Sequence, residues 1–255
     1  MNKDRFRIGK IHISTTNPKD ADAKITEAAV SGTGGYICVS NIRMIQYAGK
    51  NPSYAQIMED SFMNLPDGTP LAWMGRLWGL NNVAVTNGPA TFKRLLTNDD
   101  KRLKHYLLGD TQDVVDTILE KYSREYNTNF AGGSSLPFAN VEDFDYEGIA
   151  KQVKESGANI IWTAMRAPKQ DEFNARLSKL LPNVVMLGVG RAFRVSTGEV
   201  QMAKSWIQKT GFGGITIRKK SLPATIWWYS QASISLIGYS ISIIFRRLCG
   251  KKCYD

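Results

Sequence analysis

The chain has 255 residues, 43% apolar and 22% charged, enough for one large core and too apolar for a disordered chain. Its net charge of +10 suits anionic partners: nucleotides, nucleic acid or an acidic membrane surface. Three cysteines (Cys38, Cys249, Cys253) are too few and too scattered for a disulfide framework, which points to a reducing compartment.

The opening Met1-Asn2-Lys3-Asp4-Arg5 leads into no apolar run of signal-peptide type, so none is expected. Arg7 to Ser14 alternates Ile8, Ile11 and Ile13 with polar residues and reads as a strand. Asn17-Pro18 breaks it, and Asp20 to Val30 reads as a helix ended by Gly32. Tyr36-Ile37-Cys38-Val39 is a continuous apolar run of the kind buried on both faces of a parallel sheet. Ser40-Asn41 opens a helix over Ile42 to Ala48, and another covers Tyr54 to Asp60.

Ser61 to Leu65 then runs into Leu65-Pro66-Asp67-Gly68-Thr69-Pro70, followed by an apolar helix from Leu71 to Leu80. Asn87-Gly88-Pro89 precedes a helix over Thr91 to Leu96. His105 to Leu108 is a strand ending at Gly109-Asp110, and Val114 to Tyr126 is helical. Phe130 to Gly133, Asn159 to Thr163 and Val184 to Gly190 are further strands, with helices at Tyr146 to Ser156 and Asp171 to Leu181 between them.

Strand, small-residue loop and helix recur with short connections, which predicts an α/β fold: a doubly wound, mainly parallel sheet with helices on both faces. The loops at the carboxyl ends of its strands carry Asn41, Asp67, Gly88, Gly109, Asp110, Lys169, Gln170 and Gly190, and should converge on one cleft. Residues 1–200 are expected to form this core and 201–255 an appendage.

The appendage differs in kind. Ala224 to Phe245 is uncharged, long enough to span a bilayer, and flanked by basic residues on both sides. Basic flanks at both ends suit a segment that enters and leaves one leaflet, with Trp227, Trp228 and Tyr229 at headgroup level. The alternatives are a core or interface helix pair and a true span.

Few chemistries are open. His12 and His105 have no neighbouring ligand pair, so no metal site is expected. No Gly-x-Ser-x-Gly, dinucleotide fingerprint or P-loop occurs. What remains is Asp67, a loop carboxylate. It could simply cap the following helix, or it could deprotonate an alcohol. If the leaving group were a nucleoside diphosphate, Lys169 or the basic tail could take up its charge.

The stretches Cys38-Val39-Ser40-Asn41, Leu65-Pro66-Asp67-Gly68-Thr69-Pro70-Leu71-Ala72-Trp73, Gly88-Pro89, Leu107-Leu108-Gly109, Ala167-Pro168-Lys169-Gln170-Asp171 and Gly188-Val189-Gly190-Arg191-Ala192-Phe193 together resemble the WecG/TagA/CpsF family of bacterial glycosyltransferases. The resemblance implies a Rossmann-like fold and inverting transfer from a UDP-sugar to a polyprenyl-diphosphate-linked saccharide, in cell-surface polysaccharide synthesis. It implies no cofactor and no essential metal, and a C-terminal appendage that brings the enzyme to the cytoplasmic face of the inner membrane. The basic residues, clustered beside an apolar aromatic tail rather than along an exposed helix, point to an anionic membrane surface as partner and to no nucleic acid. Asp67 matches the family's proposed catalytic base. Ser40, Asn41, Gly68, Gly88, Pro89 and Gly109 are then expected to bind substrate, with Lys169, Gln170, Gly190, Phe193 and Arg194. Arg218, Lys219 and Lys220 would close over the donor diphosphate at the membrane or in a homo-oligomer.

The chain departs from the family pattern in places. Val85 and Arg194 stand where the family usually has an arginine and an aspartate, and Asp171 where it has a glutamate. Arg166, Arg191 or Arg194 could supply the charge that Val85 lacks. The same departures motivate an alternative: a catalytically weakened member acting as a binding or scaffold subunit.

Overall fold

The computed structural model describes residues 4–202 and 222–254, with side chains of the final helix described from residue 233. The first expected strand is folded back on itself. Arg5–Ile8 (β1) and Ile11–Ser14 (β2) pair as an antiparallel hairpin around Gly9-Lys10. The apolar positions change phase at the turn, from Phe6 and Ile8 to Ile11 and Ile13, so that both legs bury the same face.

The other strands form one parallel sheet. They are Gly35–Ser40 (β3), Met63–Pro66 (β4), His105–Gly109 (β5), Phe130–Ser134 (β6), Ile160–Ala164 (β7) and Val185–Gly188 (β8). Their order is β4-β3-β8-β7-β5-β6, and every neighbouring pair is parallel. Alternate residues of each strand face opposite cores. Tyr36 and Cys38 join one and Ile37 and Val39 the other, and Met186 is opposed in the same way to Val185 and Leu187.

Helices cover both faces, as a doubly wound sheet requires. Pro18–Ser31 (α1), Gly88–Leu96 (α5), Gln112–Tyr126 (α6) and Ala192–Thr197 (α9) supply the core that contains Trp162. Ile42–Lys50 (α2), Pro52–Asp60 (α3), Thr69–Leu77 (α4), Tyr146–Ser156 (α7) and Lys169–Leu177 (α8) supply the core that contains the hairpin. Both histidines have structural partners. Burial pushes His105 down to about 3, where its neutral Nδ1 accepts the Trp162 indole N–H at 3.0 Å. His12 bonds Glu59 through Nδ1 at 2.8 Å and joins the hairpin to α3.

The uncharged tail forms one continuous helix, Leu222–Leu248 (α10), rather than two legs. Nothing stops it after Pro223, since a mid-helix Gly238 costs only about 1 kcal/mol relative to alanine. It lies against α2 and α4. Ile243, 2% exposed, enters the core beside Met74 and Trp78. Gln46 Nε2 donates to Ser235 Oγ at 2.6 Å, and beyond the helix the Arg7 N–H reaches the Cys253 carbonyl at 2.7 Å. Among the described residues, no helix is long and apolar enough to cross a membrane. Arg218, Lys219 and Lys220 lie outside the described residues, as do the side chains of Trp227, Trp228 and Tyr229.

Candidate active site

Asp67 sits at the carboxyl end of β4. Its N–H donates to the Ser40 carbonyl at 2.7 Å, and the Thr86 N–H reaches the Pro66 carbonyl at 2.9 Å. The turn is therefore held from both sides. Gly68 follows at φ +107, a conformation that L side chains rarely adopt, and occupies the N-cap position of α4 with no side-chain cap bond. Asp67 does not cap that helix, and the capping role that its position suggested is absent.

Asn41 orients the carboxylate. As the N-cap of α2, its Oδ1 accepts from the N–H groups of Arg43 at 3.0 Å and Met44 at 3.3 Å. With the amide oxygen committed, its NH2 is the end available to bond the Asp67 side chain. Loss of hydration pushes Asp67 up to about 6, against the hydrogen bond from Asn41 and the positive charge of Arg191. A carboxylate near 6 is ionised at neutral pH and is a stronger base than an ordinary aspartate.

Across the edge, the ends of β5, β7 and β8 enclose a cavity of about 690 Å³ lined by Asp110, Arg166, Gly190, Arg191, Arg194 and Glu199 among others. Its size is that of a small-molecule site. Gln170 Oε1 accepts the Gly190 N–H at 3.1 Å and fixes the wall. Gln170 fits only because residue 188 is glycine: a Cβ there would come within 2.7 Å of Gln170 Cδ.

Not every residue expected at the site reaches it. Ser40 is fully buried and donates to Asn64 Oδ1, joining β3 to β4. Its carbonyl, rather than its hydroxyl, serves Asp67. Gly88 packs beside the Val189 backbone, and Gly109 lies against that of Ala164. Pro89 is in the first turn of α5, whose cap is Asn87. The Lys169 ammonium donates to the Ala139 carbonyl and lies 5.1 Å from the centre of the Phe144 ring, on the α7 side. Phe193 is buried and stacked on Phe92 at 5.2 Å. Arg194 lines the cavity, with Nε and Nη2 bonded to Asp110 and Nη1 to Glu199 at 3.0 Å.

Behind the cavity, Asp171 is buried and accepts the Tyr54 hydroxyl at 2.5 Å. Tyr54 carries no sequence signal, since on α3 it reads only as an apolar helix position. Burial pushes Asp171 up to about 7. A raised carboxyl binds its proton more tightly in the folded chain, so its stabilising contribution is complete below about pH 4 and is lost as pH rises towards 7. Asp171→Asn should remove that loss. Urea melts at successive pH values should show the variant gaining on the parent by about 1 kcal/mol per pH unit over this window.

The model of the glycosyl transferase WecG/TagA/CpsF family matches residues 6–235. The chain is 31% identical over 176 residues, 68% of its length and 67% of the relative's, to the N-acetylglucosaminyldiphosphoundecaprenol N-acetyl-beta-D-mannosaminyltransferase of Bacillus subtilis (strain 168). A protein of the same name from Bacillus spizizenii is 25% identical over 174 residues, 68% of this chain and 66% of that one. The chain thus aligns over about two thirds of each relative.

Proposed function

The chain belongs to the WecG/TagA/CpsF family of glycosyltransferases, and on that footing we propose that it moves a sugar from a UDP-sugar to a polyprenyl-diphosphate-linked saccharide with inversion. The observation that carries this reading is Asp67, hydrogen-bonded by Asn41 at the carboxyl edge of the sheet, the same edge that bears a cavity with an arginine-lined wall. An acceptor hydroxyl attacks the anomeric carbon and Asp67 takes its proton. The bond from that carbon to the diphosphate oxygen breaks, and the nucleoside diphosphate leaves with the electron pair. One displacement inverts the centre.

The relatives' names give the sugar and acceptor to try first, N-acetylmannosamine and N-acetylglucosaminyldiphosphoundecaprenol, with the sugar supplied here as its UDP derivative. Product mass reads transfer, and the anomeric coupling in its proton spectrum reads the stereochemistry. UDP-sugar binding without turnover on any lipid-linked acceptor would instead favour the scaffold reading.

The acceptor's lipid places the reaction beside a membrane, and α10 offers a surface for it. Ile234, Ile237, Ile241, Phe245 and Leu248 follow one another at three- and four-residue spacing and are all at least 60% exposed. Arg246, Arg247, Lys251 and Lys252 stand at the same end. A helix apolar on its outer face and basic at its end suits the headgroup region of an anionic bilayer. Deleting α10 would uncover Ile243 and its core neighbours, so substitutions on the outer face test this better. Ile237→Asp with Ile241→Asp should weaken flotation with anionic liposomes by about a hundredfold, from two lost apolar insertions. Turnover of a short-chain soluble acceptor should stay near the parent's. Unchanged flotation would refute the role of this face.

A further inference from the structure

The 690 Å³ cavity runs across the ends of β8, β7 and β5, and its charged side chains fall into two groups. Arg191 and Arg166 stand on the loops after β8 and β7. At the end of β5, Asp110 meets Arg194, which lies between two carboxylates. Its Nε is 2.9 Å from Asp110 Oδ2, its Nη2 2.6 Å from Asp110 Oδ1, and its Nη1 3.0 Å from Glu199 Oε2. One cation against two acids leaves this end of the cavity acidic, while the side over β7 and β8 is basic.

Asp110 is held firmly in that wall. Its backbone takes φ +59, a left-handed conformation uncommon outside glycine, and its Oδ1 also accepts the Thr111 N–H at 3.0 Å. A carboxylate has about four lone-pair sites, and these contacts fill Oδ1 while leaving one site on Oδ2. Arg194 is tied in as well. Its carbonyl accepts the Val200 N–H at 3.0 Å, which folds residues 199–201 back to line the cavity.

We propose that Asp110 is a specificity-determining residue for the donor: its carboxylate accepts a ribose hydroxyl, while the diphosphate lies towards Arg166 and Arg191. This rests on the transferase reading above. A carboxylate repels a phosphate but is a strong acceptor for a neutral hydroxyl. Two strand spacings, about 10 Å, separate β5 from β8, the scale of a ribose joined to a diphosphate. Arg194 is then a positioning residue. Its two bonds fix the plane of the Asp110 carboxylate and so the direction of the remaining lone pair.

The test is calorimetry on the full chain with UDP, 2′-deoxy-UDP and 3′-deoxy-UDP. The parent should bind UDP more tightly than at least one deoxy analogue by about tenfold or more, the scale of one hydrogen bond to a charged group. Asp110→Gly suits the left-handed backbone and removes the carboxylate. It should bind all three ligands alike, at the level of the poorer analogue. Asp110→Asn keeps the shape of the side chain and should narrow the preference. Arg194→Gln should weaken UDP severalfold and still prefer it to that analogue. Arg166→Ala should weaken all three by one factor and leave their ratio at the parent's value.

Equal affinity of the parent for all three ligands would overturn the proposal, as would a preference for UDP that survives in Asp110→Gly. A ratio changed by Arg166→Ala would overturn the placement of the diphosphate. Failure of the transferase reading is separate: the parent would then bind UDP with its ribose preference intact and transfer no sugar to any lipid-linked acceptor.

Discussion

Replacing Asp67 with asparagine is expected to lower kcat by about a thousandfold, within the range that a positioned general base contributes. The substitution keeps the shape of the side chain and an oxygen for the Asn41 amide to bond, so the turn between β4 and α4 should survive. It removes the one property the reaction needs, a site that accepts a proton at neutral pH. The KM for the UDP-sugar should change little if the donor takes the cavity at the ends of β5, β7 and β8, whose walls are other residues. The parent's pH profile carries the same signature. With Asp67 near 6, kcat/KM should fall about tenfold per pH unit below that value, and the limb should vanish in the residual activity of the variant. A variant with the parent's rate would remove Asp67 from the mechanism.

Phe193→Ala should lower the stability of the fold by about 3 to 5 kcal/mol, the usual cost of a buried phenylalanine. Its ring stacks on Phe92 at 5.2 Å, and Phe92 meets the edge of Trp162 at 5.0 Å. All three are fully buried in one core cluster. Truncation opens a hole between α9, α5 and the sheet that these large rings fill poorly. For a chain of this size the melting temperature should drop by roughly 10 °C. Phe193→Leu separates packing from ligand contact. It should recover most of the stability and keep parental UDP affinity. A leucine variant with parental stability and poor UDP binding would return Phe193 to the substrate site.

Much of the architecture is legible in the chain. Short apolar runs ending in Ser40-Asn41, Pro66-Asp67 and Gly109-Asp110, each followed by a helix, leave little alternative to a parallel sheet with its loops at one edge. Asp67 is legible for the same reason: it is a carboxylate on such a loop, and the rival chemistries need residues that the chain lacks. The hairpin of β1 and β2 leaves only a small mark, a change of phase between Ile8 and Ile11 across Gly9-Lys10, which a single strand from Arg7 to Ser14 passes over. The continuity of α10 was hidden, since an uncharged stretch says nothing about whether it bends.

The amino-acid order by itself determined which residues sit on strand ends, because strand and helix periodicities are local and the connections are short. It could not say where those residues point. Ser40 and Asn41 are neighbours in one motif, yet the alternation of β3 sends the first hydroxyl inward to Asn64, while the N-cap position leaves the second amide free to turn to Asp67. Phe193 and Arg194 divide between core and cavity in the same way. The pairing of Arg194 with Asp110 joins residues 84 positions apart, and so does not exist until β5 and β8 have been placed in one sheet. Burial is likewise a property of the assembled molecule. It pushes the Asp67 carboxyl up from the range of an ordinary loop carboxylate to about 6, because part of the water that would hydrate its charge is displaced only when the strand ends come together.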